Sequence, residues 1–152
     1  MIVLFDCNCY DKLIALSDES LQKIFNKITK VILPQIVRKQ LDQMIEYEDK
    51  IEKLSHINQI IARLHIANKL EKTEGLFGSE SSENDANITY FNSLPDKMIN
   101  GDKEIALTAK QTNATMITND IPFLNGLHAI NQKALNFEDF LRSVKICIST
   151  KK

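Results

Sequence analysis

Apolar positions along this chain switch between a two-residue and a three-to-four-residue spacing, and the switches mark its elements. Ile2-Val3-Leu4-Phe5 is a short apolar run rich in β-branched and aromatic residues, too brief for a helix, and predicts a buried strand. Leu13, Ile14 and Leu16 follow at helical spacing, then Leu21, Ile24, Phe25 and Ile28. Between them Ser17-Asp18-Glu19-Ser20 favours caps and turns, which predicts two helices. Lys30-Val31-Ile32-Leu33 predicts a second strand, ended by Pro34, a residue suited to a first helical turn. From Gln35 a helical pattern runs unusually far, through Val37, Leu41, Ile45, Leu54, Ile61 and Ile66, with neither Pro nor Gly before Gly75. A break near Glu46-Tyr47-Glu48-Asp49 would divide it into two antiparallel helices.

Apolar periodicity disappears from Glu71 to Asn87, a stretch rich in Gly, Ser, Glu and Asn that reads as a mobile loop. Residues 46–90 together read as a helical extension and loop, and Ile88, Tyr90 and Phe91 alternate too briefly to assign. Asn100-Gly101 predicts a turn, with Asp102 capping a helix over Lys103–Gln111. Ala114–Thr118 predicts a third strand, Asn119–Gly126 a loop, and Leu127-His128-Ala129-Ile130 a short fourth strand. The last helix begins around Asn136, which with Asp139 loosely resembles a capping box, and runs through Phe140, Leu141 and Val144. Strands alternating with helices imply right-handed crossovers. The expected fold is a three-layer α/β/α sandwich around a short, mainly parallel sheet.

Composition narrows this picture. With 152 residues and 43% hydrophobic content, the expectation is one domain over residues 1–152 with a proper core. No stretch approaches the roughly 18 apolar residues of a membrane helix. Asp6 interrupts the first apolar run with no basic region before it, a poor signal peptide, so a cytoplasmic protein is expected. Cys7, Cys9 and Cys147 lack the paired spacing of a zinc site and read as reduced thiols. His56, His65 and His128 have no metal or triad partner in the pattern and read as structural. The formal net charge of −1 excludes a global polycation for nucleic acid. Residues 12–39 nevertheless hold six basic side chains against two acidic ones, either a phosphate-binding face or a solvated helix surface.

The candidate chemistry lies in three aspartates. Asp6 follows the first apolar run, Asp120 follows the third strand, and Asp102 opens a helix. If the first and third strands are parallel neighbours, their carboxyl ends share the crevice where open α/β sheets bind ligands. Carboxylates crowded there repel one another unless a cation holds them, and hard oxygen ligands suit Mg²⁺ or Mn²⁺. Taken singly, each has a bland reading: Asp6 and Asp102 as helix caps, Asp120 as a loop residue. Asn8 and Asp11 read as supporting or capping residues near the same edge. Thr118 and Asn119 either orient a water or phosphate or bond within their own turn.

These pieces together resemble the PIN domain family of small metal-dependent ribonucleases. The resemblance is carried by Ile2-Val3-Leu4-Phe5-Asp6, by Leu33-Pro34-Gln35-Ile36-Val37-Arg38-Lys39-Gln40-Leu41, by Gly101-Asp102-Lys103-Glu104-Ile105-Ala106-Leu107, and by Ala114-Thr115-Met116-Ile117-Thr118-Asn119-Asp120-Ile121-Pro122-Phe123. It implies Asp6, Asp102 and Asp120 as catalytic, metal-binding positions and Thr118, Asp120 and Phe123 as a T-x-D-x-x-F turn. It also implies Mg²⁺ or Mn²⁺ as cofactor, RNA as substrate, and a toxin role with an antitoxin partner or a homodimer. Lys12, Arg38 and Lys39 are candidates for the RNA backbone or for solvent. The departure is Gln40, where the family usually has glutamate: it keeps an oxygen ligand and loses a charge. Asp42 lies about 200° around the helix and cannot substitute, and Glu46 is roughly 9 Å further along. The alternatives are a PIN-fold RNA-binding or regulatory protein weakened at Gln40, and a haloacid-dehalogenase-type phosphatase, whose D-x-D start Asp6-Cys7-Asn8 only half matches.

Overall fold

Val3, Leu4 and Phe5 are all wholly buried, which consecutive residues achieve in a strand covered on both faces. In the computed structural model, which describes residues 1–43, 48–73 and 100–145, this segment is β1 (Ile2–Phe5), the centre of a five-stranded sheet. It pairs with β2 (Lys30–Pro34) on one side and β4 (Thr115–Ile117) on the other. Beyond them lie β3 (Leu70–Thr73) and β5 (Ala134–Leu135), giving the order β3-β2-β1-β4-β5 with every pairing parallel. Helices flank this sheet, as the alternation of elements requires.

Local chemistry starts and stops these helices. Asp6 caps α1 (Cys7–Ile14), and Ser17 caps α2 (Asp18–Lys27) by accepting from the Ser20 N–H. Pro34 precedes α3 (Gln35–Asp42), and α4 (Glu48–Ile66) is a single 19-residue helix. The expected break at residues 46–49 falls largely outside the described residues, which resume at Glu48. α5 spans Asn100–Gln111, so Asn100-Gly101 is its first turn rather than a separate one, and Asp102 lies inside that turn rather than capping it. Asn136 caps α7 (Phe137–Ser143) by accepting from the Asp139 N–H at 2.7 Å, as its spacing predicted.

Two strand expectations are corrected. Leu127-His128-Ala129 belongs to helix α6 (Ile121–Ala129), and the strand comes later, at Ala134–Leu135. Asp120 caps α6 and Pro122 occupies its first turn, so the expected loop begins a helix and Leu127 joins Phe123 and Leu124 on its buried face. Residues 70–73, expected in part as loop, form β3. A polar edge strand needs ladder bonds rather than apolar periodicity, and Lys30 of β2 pairs with Glu71 at 3.0 Å across this one. Residues 74–90 of the expected extension, with Tyr90 and Phe91, lie outside the described residues.

Phe5 meets Tyr10 and Phe140 edge-on, at centroid separations of 5.9 and 5.3 Å, which locks α1 and α7 onto the central strand. Arg63 of α4 stacks 5.2 Å over Phe25 and reaches Asp18 at 3.5 Å, tying α4 to α2. Lys69 donates its Nζ to the Phe25 carbonyl and, at 3.0 Å, to that of Ile28, closing the end of α2. Lys69→Met keeps the apolar stem and strands both carbonyls. It is expected to lower the stability read by urea denaturation by about 1–2 kcal/mol, and an unchanged midpoint would deny the clamp any role.

Candidate functional site

The winding of the sheet reverses at β1: the chain steps outward to β2 and β3 on one side, and β4 leads to β5 on the other. A crevice opens at such a switch point beyond the carboxyl ends of the two inner strands. Asp6 ends β1 there, its backbone N–H bonded to the Ile117 carbonyl at 2.9 Å. Phe5 stands opposite Ile117, so Asp6 falls beside Thr118. The Asp6 side chain is 7% exposed and fully engaged: Oδ1 accepts from Cys7 N–H at 2.8 Å and Oδ2 from Thr118 Oγ1 at 2.8 Å. Asn8 Nδ2 is also 3.5 Å from Oδ2.

Thr118, wholly buried, is the junction of the site. Its hydroxyl donates to Asp6 and accepts from the Asp120 N–H at 3.1 Å, coupling the two strand ends through one oxygen. Asp120 Oδ1 accepts from the Phe123 N–H at 3.2 Å, which is the structural content of the T-x-D-x-x-F spacing. Asn119 reaches beyond its own turn. Its Oδ1 accepts from the Phe137 N–H at 2.9 Å and so anchors α7. Asn8 Oδ1 accepts in turn from the Asn119 N–H at 3.4 Å, so α1 and the turn after β4 are stitched together. Asp11 joins none of these contacts, and its buried Oδ1 has no hydrogen-bond partner among the described residues.

Asp102 enters from the first turn of α5. Burial pushes its carboxyl up to about 6, and the charges of Asp6 and Asp120 push the same way. Burial likewise raises Asp6, opposed by the Thr118 and Cys7 hydrogen bonds and reinforced by Asp120. The three aspartates thus share one electrostatic patch. Gln40 stands beside it: a Cβ on Gly101 would lie 3.3 Å from Ile36 Cδ1 and 4.0 Å from Gln40 Nε2, so α3 faces the turn that carries Asp102. Asp42 is held by Arg38 at 2.5 Å and takes no part, and that contact also engages Arg38; Lys12 and Lys39 are exposed. His56 is 3.7 Å from Glu52 on the exposed face of α4, and His128 Nε2 bonds the Ala134 carbonyl at 2.8 Å. Burial pushes the Cys7 thiol up to about 11 and raises Cys9 further, so neither is a ready nucleophile or metal ligand.

Among the described residues no three His, Cys, Asp or Glu side chains are close enough together to enclose one metal ion. The carboxylates therefore feel one another without forming a closed cage. Mg²⁺ is commonly held by one or two carboxylates, with water and substrate phosphate completing its shell, so the all-oxygen donor set here still fits it.

The raised acids have a consequence for stability. A carboxyl whose folded pKa exceeds the usual 3.8 favours the fold fully below that value and loses the contribution as pH rises through about 6. Metal-free protein is expected to lose stability between pH 4 and 7, roughly 1 kcal/mol of it from Asp102 after solvent screening. Asp102→Asn should flatten that slope in thermal melts across this range. An unchanged slope would remove Asp102 from the repulsive patch.

Searches by sequence are silent: no family model and no curated relative matches the chain. Solved structures do match. VapBC2 from Rickettsia felis, bound to a DNA fragment from its promoter, shares 19% identity at a TM-score of 0.57, over 90% of this chain and 98% of that one. A PilT N-terminus domain protein from Sulfolobus solfataricus P2 superposes over 100% of both chains, with 10% identity and a TM-score of 0.51. The chain has a PIN fold. A domain of a functionally unknown protein from Methanocaldococcus jannaschii shares it too, at 18% identity and a TM-score of 0.57 over 99% of this chain and 94% of that one. At these identities the PIN fold is what the neighbours establish, and the chemistry rests on this chain's own side chains. Among the described residues no helix is long and apolar enough to cross a membrane.

Proposed function

We propose that this PIN-fold protein is a divalent-metal-dependent endoribonuclease, acting on single-stranded or structured RNA. The observation that supports it is the convergence of Asp6, Asp102 and Asp120 at the switch point, where burial, reinforced by neighbouring carboxylate charge, raises Asp6 and Asp102 and a cation would relieve the repulsion. Asp6, Asp102 and Asp120 are the residues that would hold Mg²⁺ or Mn²⁺. A bound ion of this kind supplies Lewis acidity toward a phosphoryl oxygen and acidifies its own water, which in phosphodiester hydrolysis leaves a 3′-hydroxyl and a 5′-phosphate. Thr118 fixes Asp6 and the start of the Asp120 turn in one relative position, and Asn8 secures the turn from the α1 side. The exposed Lys12 and Lys39, and Arg38 in exchange for its Asp42 partner, are the side chains proposed to meet RNA phosphates. A role as the toxin of a toxin–antitoxin pair, with an antitoxin partner, is drawn from the VapBC2 neighbour.

A second reading has its own observation. Gln40 faces the Asp102 turn without a charge, and the described carboxylates do not enclose an ion, which favours a PIN-fold RNA-binding protein with weakened catalysis. Gln40→Glu separates the two. Under the nuclease reading the added carboxylate tightens Mn²⁺ binding by about 10-fold, in the range of ligand-shell changes, and raises cleavage of a single-stranded RNA panel with it. RNA binding without cleavage in both proteins, even at high Mn²⁺, would establish the second reading instead.

A further inference from the structure

The rim of the carboxylate crevice has two kinds of surface. On the α1 and α3 sides it is polar: Asn8 and Lys12 are exposed on α1, and Lys39 on α3 next to Arg38. On the α6 side it is carbon. Ile121 directly follows Asp120, so their Cα atoms are about 3.8 Å apart, and its side chain is 55% exposed. Pro122 is exposed beside it. Among the described residues the other exposed large hydrophobic side chains are Met1, Ile51 and Ile66. Met1 precedes the opposite end of β1 and the other two lie on α4, so Ile121 is the one that adjoins an aspartate of the site.

The start of α6 is a poor cradle for an anion, which needs several backbone N–H groups free at a helix start. The Asp120 N–H is bonded to Thr118, Pro122 has none, and the Phe123 N–H is taken by Asp120 Oδ1. The Leu124 N–H is spent on the Asp120 carbonyl at 2.9 Å. Among the described residues that leaves the Ile121 N–H alone. Phosphates are therefore better met by the cations of α1 and α3, and a ribose would bring hydroxyls that find no partner on carbon. The apolar part of a nucleotide is the face of its base. Bases of single-stranded RNA are free to pack on a side chain in this way, and every base has such a face. A strand that brings a phosphate to Asp120 carries a base past Ile121.

We propose that Ile121 and Pro122 form a ledge on which the base next to the scissile phosphate rests, positioning the strand without reading its sequence. The place of that base relative to the cut rests on the ribonuclease reading above; the base contact itself requires RNA binding only.

The test is NMR of the whole protein labelled at its isoleucine methyls, titrated with a single-stranded RNA hexamer, with Ca²⁺ in place of Mg²⁺ on the carboxylates. A base resting on Ile121 shifts its methyl upfield by ring current, while Ile51 and Ile66 serve as exposed references and stay in place. A hexamer made abasic throughout should produce no such shift and bind at least about threefold weaker, just below the range for aromatic platforms. Ile121→Ser should bind the intact hexamer at least about threefold weaker than wild type and the abasic one equally well, with an unchanged melting temperature. Ile121→Val should recover the binding. In cleavage, Ile121→Ser should raise KM by the same factor at constant kcat, as loss of uniform binding does. An Ile121 methyl that stays in place while the hexamer binds, an equal shift with the abasic strand, or an Ile121→Ser protein that separates intact from abasic RNA as well as wild type would each overturn the proposal. The shift in a protein that cuts no RNA in Mg²⁺ or Mn²⁺ would overturn the ribonuclease reading and uphold the base contact, and a wild type that binds no RNA would overturn both.

Discussion

Asp6→Asn is expected to reduce Mg²⁺- or Mn²⁺-dependent RNA cleavage on the order of 10²–10³-fold, the range for losing one electrostatic anchor of a transition state. Asparagine is a good helix cap and nearly isosteric, so α1 still begins at Cys7. Its single oxygen keeps the Cys7 N–H and its amide can donate to the Thr118 hydroxyl with that bond reversed, so the charge-assisted part is lost, about 1 kcal/mol. Against that loss stands the relief of a buried, repelled charge, so the melting temperature in metal-free buffer should stay near wild type. Asp120→Asn should impair cleavage similarly while keeping the bond to the Phe123 N–H. Single-turnover cleavage of a single-stranded RNA panel, with and without chelator, checks both variants. Equal activity in wild type and the two variants would sink the catalytic assignment.

Thr118→Val should be the most damaging conservative change at the site for stability, about 2–4 kcal/mol by urea denaturation at pH 7.5. Valine fits the buried space but removes the oxygen that serves Asp6 Oδ2 and the Asp120 N–H at once. Among the described residues, Asn8 at 3.5 Å is then the only donor left on that buried carboxylate oxygen. The Thr118 hydroxyl favours the ionised form of Asp6, so its removal raises that acid further. The stability lost should therefore be largest where Asp6 is charged and shrink toward pH 5. Thr118→Ser keeps the hydroxyl and should retain most of the stability. A penalty that is the same at both pH values, or a serine variant as weak as valine, would contradict the junction role.

Legibility in the sequence followed how local each determinant is. β1, β2 and the cap residues Ser17, Pro34 and Asn136 were readable because each depends on a few adjacent side chains. β3 was not, because Leu70–Thr73 is held by backbone pairing to β2 and by the Lys30–Glu71 contact, and a polar edge leaves little periodic trace. Leu127-His128-Ala129 misled because a short apolar run suits either period, and only the Asp120 cap and the packing of Phe123 and Leu127 decide for a helix. Asp102 was read as a cap and instead lies within the helix's first turn, since helix starts shift by a residue or two.

The sequence by itself determined the alternation of strands and helices and nominated the three aspartates. Both follow from residue type and spacing, which chain connectivity carries directly; that Gln40 stands where a charge is missing came from the family resemblance. Only the tertiary structure decided that β1 sits at the centre with β4 beside it, bringing Asp6, Thr118 and Asp120 to one edge. It also placed the Asn119 Oδ1 on the Phe137 N–H, anchoring α7, and set Gln40 against the turn that carries Asp102. Strand order and hydrogen-bond partners more than 100 residues apart depend on which surfaces bury together, and no local spacing encodes that.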